Sequence, residues 1–423
     1  MSNTVVAPKP STKSPSPQVK EKASAKIGFQ GFDIYGWLVD PKRFAPPAFF
    51  IGIALAFVLC SLAGRAISKH NIYGNFSRFH DYINPASLYY PTISQMLAIV
   101  ESKSKPEQTI VIVGGNSVAF GLGQNEDQLW SKRLQNILGA KYAVFNFANP
   151  SSEPFEWGYW AAEALLKKHR KVLYVTITMP GTIGKPEGEE IYGYGFWDAK
   201  EKHLLVKDTL RNACIDADLK ALNEQDRIKM TELQLRSKLD SVLYFEDLWT
   251  AVSYSNFFTV WTNLTSNTML LAHKDYAEPR WTSPPPVEER FKSDRDYNSI
   301  RSYTRSYFEY QTCKPREAVW YKVLSDMCTL IPHQFKKNCL VVVSTHTPAY
   351  IDRLTAIEKN RETITTQRSK ESWINAGYHS ISLDGKLENE DFLDARHLVE
   401  SGGEKVAALV AKEVQAINSD LKY

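Results

Sequence analysis

Thr109-Ile110-Val111-Ile112-Val113-Gly114-Gly115-Asn116-Ser117-Val118-Ala119-Phe120-Gly121 decides the fold. Ile110 to Val113 is β-branched throughout and bounded by glycines, the pattern of a buried strand. Gly114 and Gly115 permit a tight turn, and Ser117 stands at its end. A helix is expected over 125–138. Asn125, Glu126 and Asp127 can cap it, Leu129, Trp130, Leu134, Ile137 and Leu138 form an apolar face, and Gly139 closes it. A serine hydroxyl is thus placed at the C-terminal end of a strand, the edge at which open α/β sheets bind ligands. The plain alternative is an ordinary strand–turn–helix corner with a capping serine.

Working outward, strands are expected at 142–147, 172–178, 340–344 and about 379–383. Helices are expected at 154–168, at 317–331 and from Gly403 to Ile417. The 317–331 helix would bury Trp320, Val323, Leu324, Met327 and Ile331. Alternating strands and helices imply an α/β fold with a largely parallel sheet covered on both faces. Asp394-Ala395-Arg396-His397 lies just before the last helix. A serine hydroxyl is a weak nucleophile until a base takes its proton, and the base needs an orienting partner. Asp-x-x-His lets one short turn hold a carboxylate behind an imidazole, although such pairs also serve as surface caps. His346, at the end of the 340–344 strand, is a rival base without a carboxylate at short spacing. Gly114-Gly115 could instead be a phosphate-binding turn, but the longer glycine pattern and the lysine are missing.

A glycine–serine turn after the first strand, with Asp-x-x-His before the last helix, resembles the SGNH/GDSL hydrolase superfamily. The usual Gly-Asp-Ser block reads Gly115-Asn116-Ser117 here. The resemblance covers residues 105–180 and 317–418. In layout it is similar to membrane-anchored, outward-facing members that acylate cell-envelope polymers, such as the D-alanine transfer proteins of teichoic acid and the acetylation proteins of alginate. It implies a three-layer α/β/α fold of SGNH/flavodoxin-like type, with Ser117 as nucleophile, His397 as base and Asp394 as its orienting carboxylate. It implies no cofactor and no metal. Two blocks depart from the family. The second strand ends Phe145-Asn146-Phe147-Ala148-Asn149-Pro150-Ser151-Ser152 and the third ends Thr176-Ile177-Thr178-Met179-Pro180-Gly181-Thr182, without Gly-x-Asn-Asp. Besides the Ser117 amide, the residues expected to hold an oxyanion or substrate are therefore Gly115, Asn116, Asn149 and Ser151. Asn116 fits shaping of the turn better than chemistry.

The flanking sequence assigns the organisation. Residues 1–43 form a basic arm, rich in Ser, Pro and Lys over Pro8 to Lys26, with little to bury and expected to be disordered. It carries seven basic against three acidic residues, an excess equal to the whole chain's +4, so the remainder is balanced. Nothing here points to nucleic acid, which needs a basic face with many phosphate contacts. Residues 44–64 are 21 residues without a charge, about 31 Å long as a helix and close to the thickness of a bilayer core. The charged region before them is too long for a signal peptide. The positive-inside rule then expects a single-pass protein, with the arm cytoplasmic and the rest extracytoplasmic.

Residues 65–104 link the span to the sheet, with a helix over Ala86 to Glu101 that Pro91 interrupts. Residues 105–182 form the first half of the α/β domain, 183–315 an insertion and 316–423 the second half. Within the insertion, Asp226 to Trp249 reads as an amphipathic helix with Leu235, Leu239, Val242 and Leu243 on one side. Tyr192, Tyr194, Phe196, Trp197, Tyr254, Phe257, Phe258 and Trp261 crowd its ends. They serve either a lid that stacks on sugars or faces lipid headgroups, or the insertion's own core, the reading that burial statistics favour. The insertion is expected over the pocket edge, because it leaves the third strand at its C-terminal end. Cys214, Cys313, Cys328 and Cys339 allow up to two disulfides or buried free thiols, and no Cys-x-x-Cys metal spacing occurs.

Two functions fit. The first is a membrane-anchored serine esterase or O-acyltransferase acting on acyl groups, acetyl above all, of an envelope polysaccharide. The second is an inactive SGNH-like accessory protein that binds polymer or a membrane-bound acyltransferase. The expected partners are the polymer, the lipid bilayer and that acyltransferase.

Overall fold

A computed structural model describes residues 47–71, 78, 91–150, 152, 154, 156–180, 194–254, 284–302 and 333–421. Its strands are β1 (Thr109–Gly115), β2 (Tyr142–Asn146), β3 (Val172–Thr178), β4 (Cys339–Val343) and β5 (His379–Ser382). They form one sheet in the order β2-β1-β3-β4-β5, parallel throughout. β1 and β3 are buried along their whole length, which is why their sequences are continuous apolar runs instead of alternating ones. The order reverses at β1, so the crevice at the C-terminal ends of β1 and β3 is the switch point at which such sheets bind ligands.

The helices are α1 (Pro47–Ile67), α2 (Ile93–Lys103), α3 (Ser117–Phe120), α4 (Trp130–Leu138), α5 (Gly158–Lys167), α6 (Tyr194–Glu201), α7 (Thr209–Ala221), α8 (Glu224–Leu243), α9 (Phe245–Tyr254), α10 (Val287–Arg290), α11 (Pro348–Arg353), α12 (Ala356–Asn375) and α13 (Glu400–Asp420). Alternate residues of β1 feed two cores. Ile110 and Ile112 pack with Ile93 of α2, Tyr159 and Trp160 of α5 and Trp373 of α12. Val111 and Val113 pack with Trp130 and Leu134 of α4 and Val406 and Val410 of α13. Helices therefore cover both faces.

Several boundaries differ from expectation for local reasons. The helix expected at 125–138 is a 3-10 turn at Glu126–Gln128 followed by α4, because Leu129 is extended (φ −57°, ψ 134°) and drops its side chain into the core. The helix expected from 154 starts at Gly158, since the Pro154 carbonyl accepts from the Tyr174 hydroxyl instead. The last helix is longer than expected, Glu400–Asp420. Of the helix expected over Ala86 to Glu101, residues 86–90 lie outside the described residues, and α2 starts at Ile93, where Thr92 and Gln95 form a reciprocal cap. The expected helix at 317–331 and the arm at 1–43 lie outside the described residues.

The chain divides into two units, residues 1–55 and 56–423. Among the described residues one helix is long and apolar enough to cross a membrane, with an apolar window at Phe49–Ile67. This is three residues beyond the expected end at Gly64. Of the insertion, Phe196 and Trp197 are buried in the core that holds α2 and α5, and Arg211 pairs with Glu163 of α5 at 2.8 Å. Phe291 and Ile300 join the core on the other face instead, and Arg290 donates to the Phe392 carbonyl at 2.9 Å. The insertion thus packs in two places, and its second part touches the segment leading to Asp394. Cys339 is a buried free thiol, 3.4 Å from the Phe335 carbonyl, and burial pushes its pKa up.

Candidate active site

Ser117 opens α3 at the end of β1. Gly115 makes that exit possible. Its φ is +106°, and a Cβ there would stand 2.6 Å from the Thr176 hydroxyl oxygen. Asn116 then caps α3, its side-chain oxygen accepting from the amides of Val118 at 3.0 Å and Ala119 at 3.4 Å. A helix of four residues leaves most of its carbonyls without intrahelical partners. The Ser117 and Val118 carbonyls accept from backbone amides of the following turn, and buried side chains serve the other two: Trp130 Nε1 donates to Ala119 at 2.8 Å, Asn146 Nδ2 to Ala119 at 3.3 Å, and Arg78 to Phe120 at 3.3 Å. Arg78 also donates to carbonyls just beyond the helix, Gly121 at 2.7 Å and Gln124 at 2.9 Å. The Arg78 guanidinium also lies 4.4 Å from the Phe120 ring centre.

His397 comes from the loop between β5 and α13. A single antiparallel bridge, Phe392 to Leu398, pinches this loop, and the Leu393 amide donates to the His397 carbonyl at 2.8 Å. Asp394 sits inside the pinch. Its Oδ1 accepts from the amides of Arg396 and His397, both at 2.9 Å, and its Oδ2 lies 2.7 Å from His397 Nδ1. The loop and the start of α13 are tied to the segments that follow β4 and α3: the Thr347 amide donates to the Ala395 carbonyl at 3.0 Å, and Asn125 Nδ2 to Glu400 at 2.9 Å.

These two elements bring Ser117 Oγ within 2.8 Å of His397 Nε2, across 280 positions of sequence. Burial works to raise the Asp394 pKa, but the hydrogen bond and charge of His397 and the two amides win, so its carboxyl is held below the ordinary value. An ionised carboxylate only accepts, so His397 Nδ1 carries the proton and Nε2 presents a lone pair to the Ser117 hydroxyl. The arrangement is wet at one edge: the side chains of His397 and Asp394 are 16% and 39% exposed.

No family model, curated protein or solved structure matches the chain.

The residues expected around the oxyanion are placed differently from one another. The Asn116 side chain is the helix cap, and its oxygen faces backbone amides, so it shapes the turn. Asn149 is buried, its amide donates to the Gly115 carbonyl at 2.8 Å, and its Nδ2 donates to Ser152 Oγ at 3.2 Å. One of its two side-chain N–H groups is thereby engaged. Gly115 contributes conformation and that carbonyl. Ser151 lies outside the described residues. His346 is buried, with Nδ1 2.7 Å from Glu362 Oε1. Its carboxylate partner comes from a helix 16 residues on, beyond the reach of a spacing rule. Among the described residues no group of three or more His, Cys, Asp or Glu could hold a metal.

Sequence reasoning did not find Arg78, Gln124 or Trp130 as parts of this site. Arg78 reads only as a charge after the span, and Trp130 only as an apolar position. No sequence signal marked them, because the backbone groups they serve belong to every residue and the four-residue length of α3 is visible only in the fold.

Proposed function

We propose that the chain is a membrane-anchored serine esterase or O-acyltransferase of SGNH type, with a three-layer α/β/α domain. The observation that supports this most is the Ser117–His397–Asp394 hydrogen-bond chain at the sheet's switch point. In this reading Ser117 Oγ attacks an acyl carbonyl while His397 Nε2 takes its proton. The resulting oxyanion is met by the Ser117 amide and a neighbouring donor such as Asn149 Nδ2. The intermediate collapses to an acyl-serine as His397 returns the proton to the leaving alcohol. Water or a sugar hydroxyl then gives its proton to His397 and takes the acyl group, restoring Ser117. Asp394 holds the imidazole and balances the imidazolium throughout.

The substrate class, acetyl or a similar acyl group on an envelope polysaccharide, follows from the family resemblance together with the apolar helix α1. The basic arm at 1–43 then lies in the cytoplasm and the α/β domain outside. One observation favours the inactive accessory reading: Asn149 turns its amide toward Ser152, and no Gly-x-Asn-Asp block supplies a substitute donor. Turnover of p-nitrophenyl acetate by the detergent-solubilised chain separates the two. The enzymatic reading expects turnover that Ser117→Ala abolishes, and equal rates for both proteins would sink it.

A further inference from the structure

The insertion carries an apolar face that the fold turns outward. On α8, Ile228, Leu235, Leu239 and Val242 are each more than half exposed, and Trp249 of α9 follows at 55%. At about 100° per residue the four α8 positions fall within roughly 60° of one another. The opposite side of α8 is the buried one, with Met230, Ser237 and Asp240. A buried charge cluster fixes it there. Lys202 Nζ lies 2.8 Å from Asp198, 3.1 Å from Asp240 and 2.7 Å from Asp247, and Thr92 donates to Asp247 at 2.5 Å. Rotating the apolar stripe inward would break that cluster, so the stripe is held facing out.

What lies beside the stripe is α1. Ser61 Oγ is 3.4 Å from the Val242 carbonyl, and the rings of Phe57 and Phe245 are 5.4 Å apart. Gly64 meets the turn between α8 and α9 so closely that a Cβ would overlap the Tyr244 carbonyl. Glycine at such a contact is what lets two backbones approach in a membrane. At 1.5 Å per residue, Ser61 and Phe57 lie about 5 and 11 Å inside the end of the charge-free run at Gly64, beyond which Arg65 stands. A bilayer that holds α1 therefore holds the α8–α9 turn at the same depth. Arg227 and Lys238 run along one side of the stripe, and Lys229 and Arg236, paired with Asp226 and Glu246, along the other, where Glu232 also lies; Glu224 stands at the N-terminal end. Basic side chains at both edges of an apolar stripe are a feature of helices that lie in the headgroup boundary.

We propose that the outward face of α8 and α9 is embedded in the lipid leaflet that surrounds the C-terminal half of α1. The domain then has a second contact with the membrane, which fixes its tilt relative to the bilayer. The proposal rests on the reading of α1 as a membrane anchor and not on the acyl chemistry. Lipid is the occupant because the face is continuous with α1, whose own surroundings would be lipid.

The test places a photoreactive p-benzoylphenylalanine at Leu239 or Val242 of the full chain. The protein is reconstituted into vesicles of phosphatidylcholine and phosphatidylglycerol, and adducts are read by mass spectrometry. Leu59 of α1 and Ile357 of α12, both exposed, serve as the span and solvent controls. Lipid adducts are expected at Leu239, Val242 and Leu59, and none above background at Ile357. Adducts at Leu59 but not at Leu239 and Val242 would overturn the proposal and leave the anchor standing. Adducts joining Leu239 to a second copy of the chain would do the same. Absence of lipid at Leu59 as well would overturn both.

Discussion

Replacing Asp394 with Asn changes one atom and tests the wiring of the site. The two oxygens of Asp394 do different work. Oδ1 accepts two backbone amides at 2.9 Å each, and Oδ2 faces His397 Nδ1 at 2.7 Å. An asparagine keeps its carbonyl on the amides, because flipping would lose two hydrogen bonds worth about 0.5–1.5 kcal/mol each and set an NH₂ against two N–H donors. Its NH₂ then faces Nδ1, which must give up its proton. The proton moves to Nε2, where it points at Ser117, and the base is gone. The unproductive orientation is favoured by at least 1 kcal/mol or so on that count, and the lost charge-assisted bond adds about 1.5–3 kcal/mol. Asp394 is 39% exposed, so water screens part of this and the lower end applies. The expected fall in kcat/KM is on the order of 10²-fold, with the melting temperature little changed because the amide caps survive. Asp394→Ala reverses the pattern: the amides lose their partner and the loop loses stability, while the imidazole is free to take either tautomer. The assay is p-nitrophenyl acetate turnover alongside thermal melts of the solubilised chain. An Asn variant with wild-type turnover, or one that loses stability as much as the Ala variant, would refute this reasoning.

Gly115→Ala should destabilise the domain by about 1–3 kcal/mol in urea melts and lower any turnover, since φ +106° and the nearby Thr176 hydroxyl leave no room for a Cβ; an unchanged midpoint would count against the strained exit from β1. Asp198 is buried beside two further carboxyls, and its pKa is raised to about 7, with desolvation the largest cause. The folded chain then keeps a proton that the unfolded chain releases near the ordinary carboxylate value. This group's contribution to stability therefore falls as pH rises from about 4 to 7 and is level above. Asp198→Asn, permanently neutral, should remove that slope and melt a few degrees higher than wild type at pH 8; parallel melting curves for the two proteins across this range would rule it out. For Asp394 the sign is opposite: its lowered pKa keeps it ionised, and its contribution is complete above the ordinary carboxylate value and lost only below it.

How much of this was legible in the sequence differs by element. Val111 and its neighbours are apolar on both strand faces, so a buried parallel strand was readable from composition alone. The pairing of Ser117 with His397 depends on the sheet returning β5 to the same edge. The order of the two motifs, and not their local spacing, carried that information. The apolar stripe of α8 was readable by its period, but its direction was not. Leu235 and Val242 face out because Asp240, on the opposite side of the helix, is held inward by Lys202, and no local rule weighs a buried ion pair against an apolar face. Arg78 was invisible for a related reason: its partners are carbonyls, which every residue has.

If Ser117 is a nucleophile activated by His397, reaction of the full chain with a fluorophosphonate, followed by peptide mapping, reads it at one atom. A phosphonyl adduct is expected on Ser117, absent in Ser117→Ala and strongly slowed in His397→Ala. A folded chain that takes no adduct at Ser117, or that labels it equally fast without His397, would contradict it.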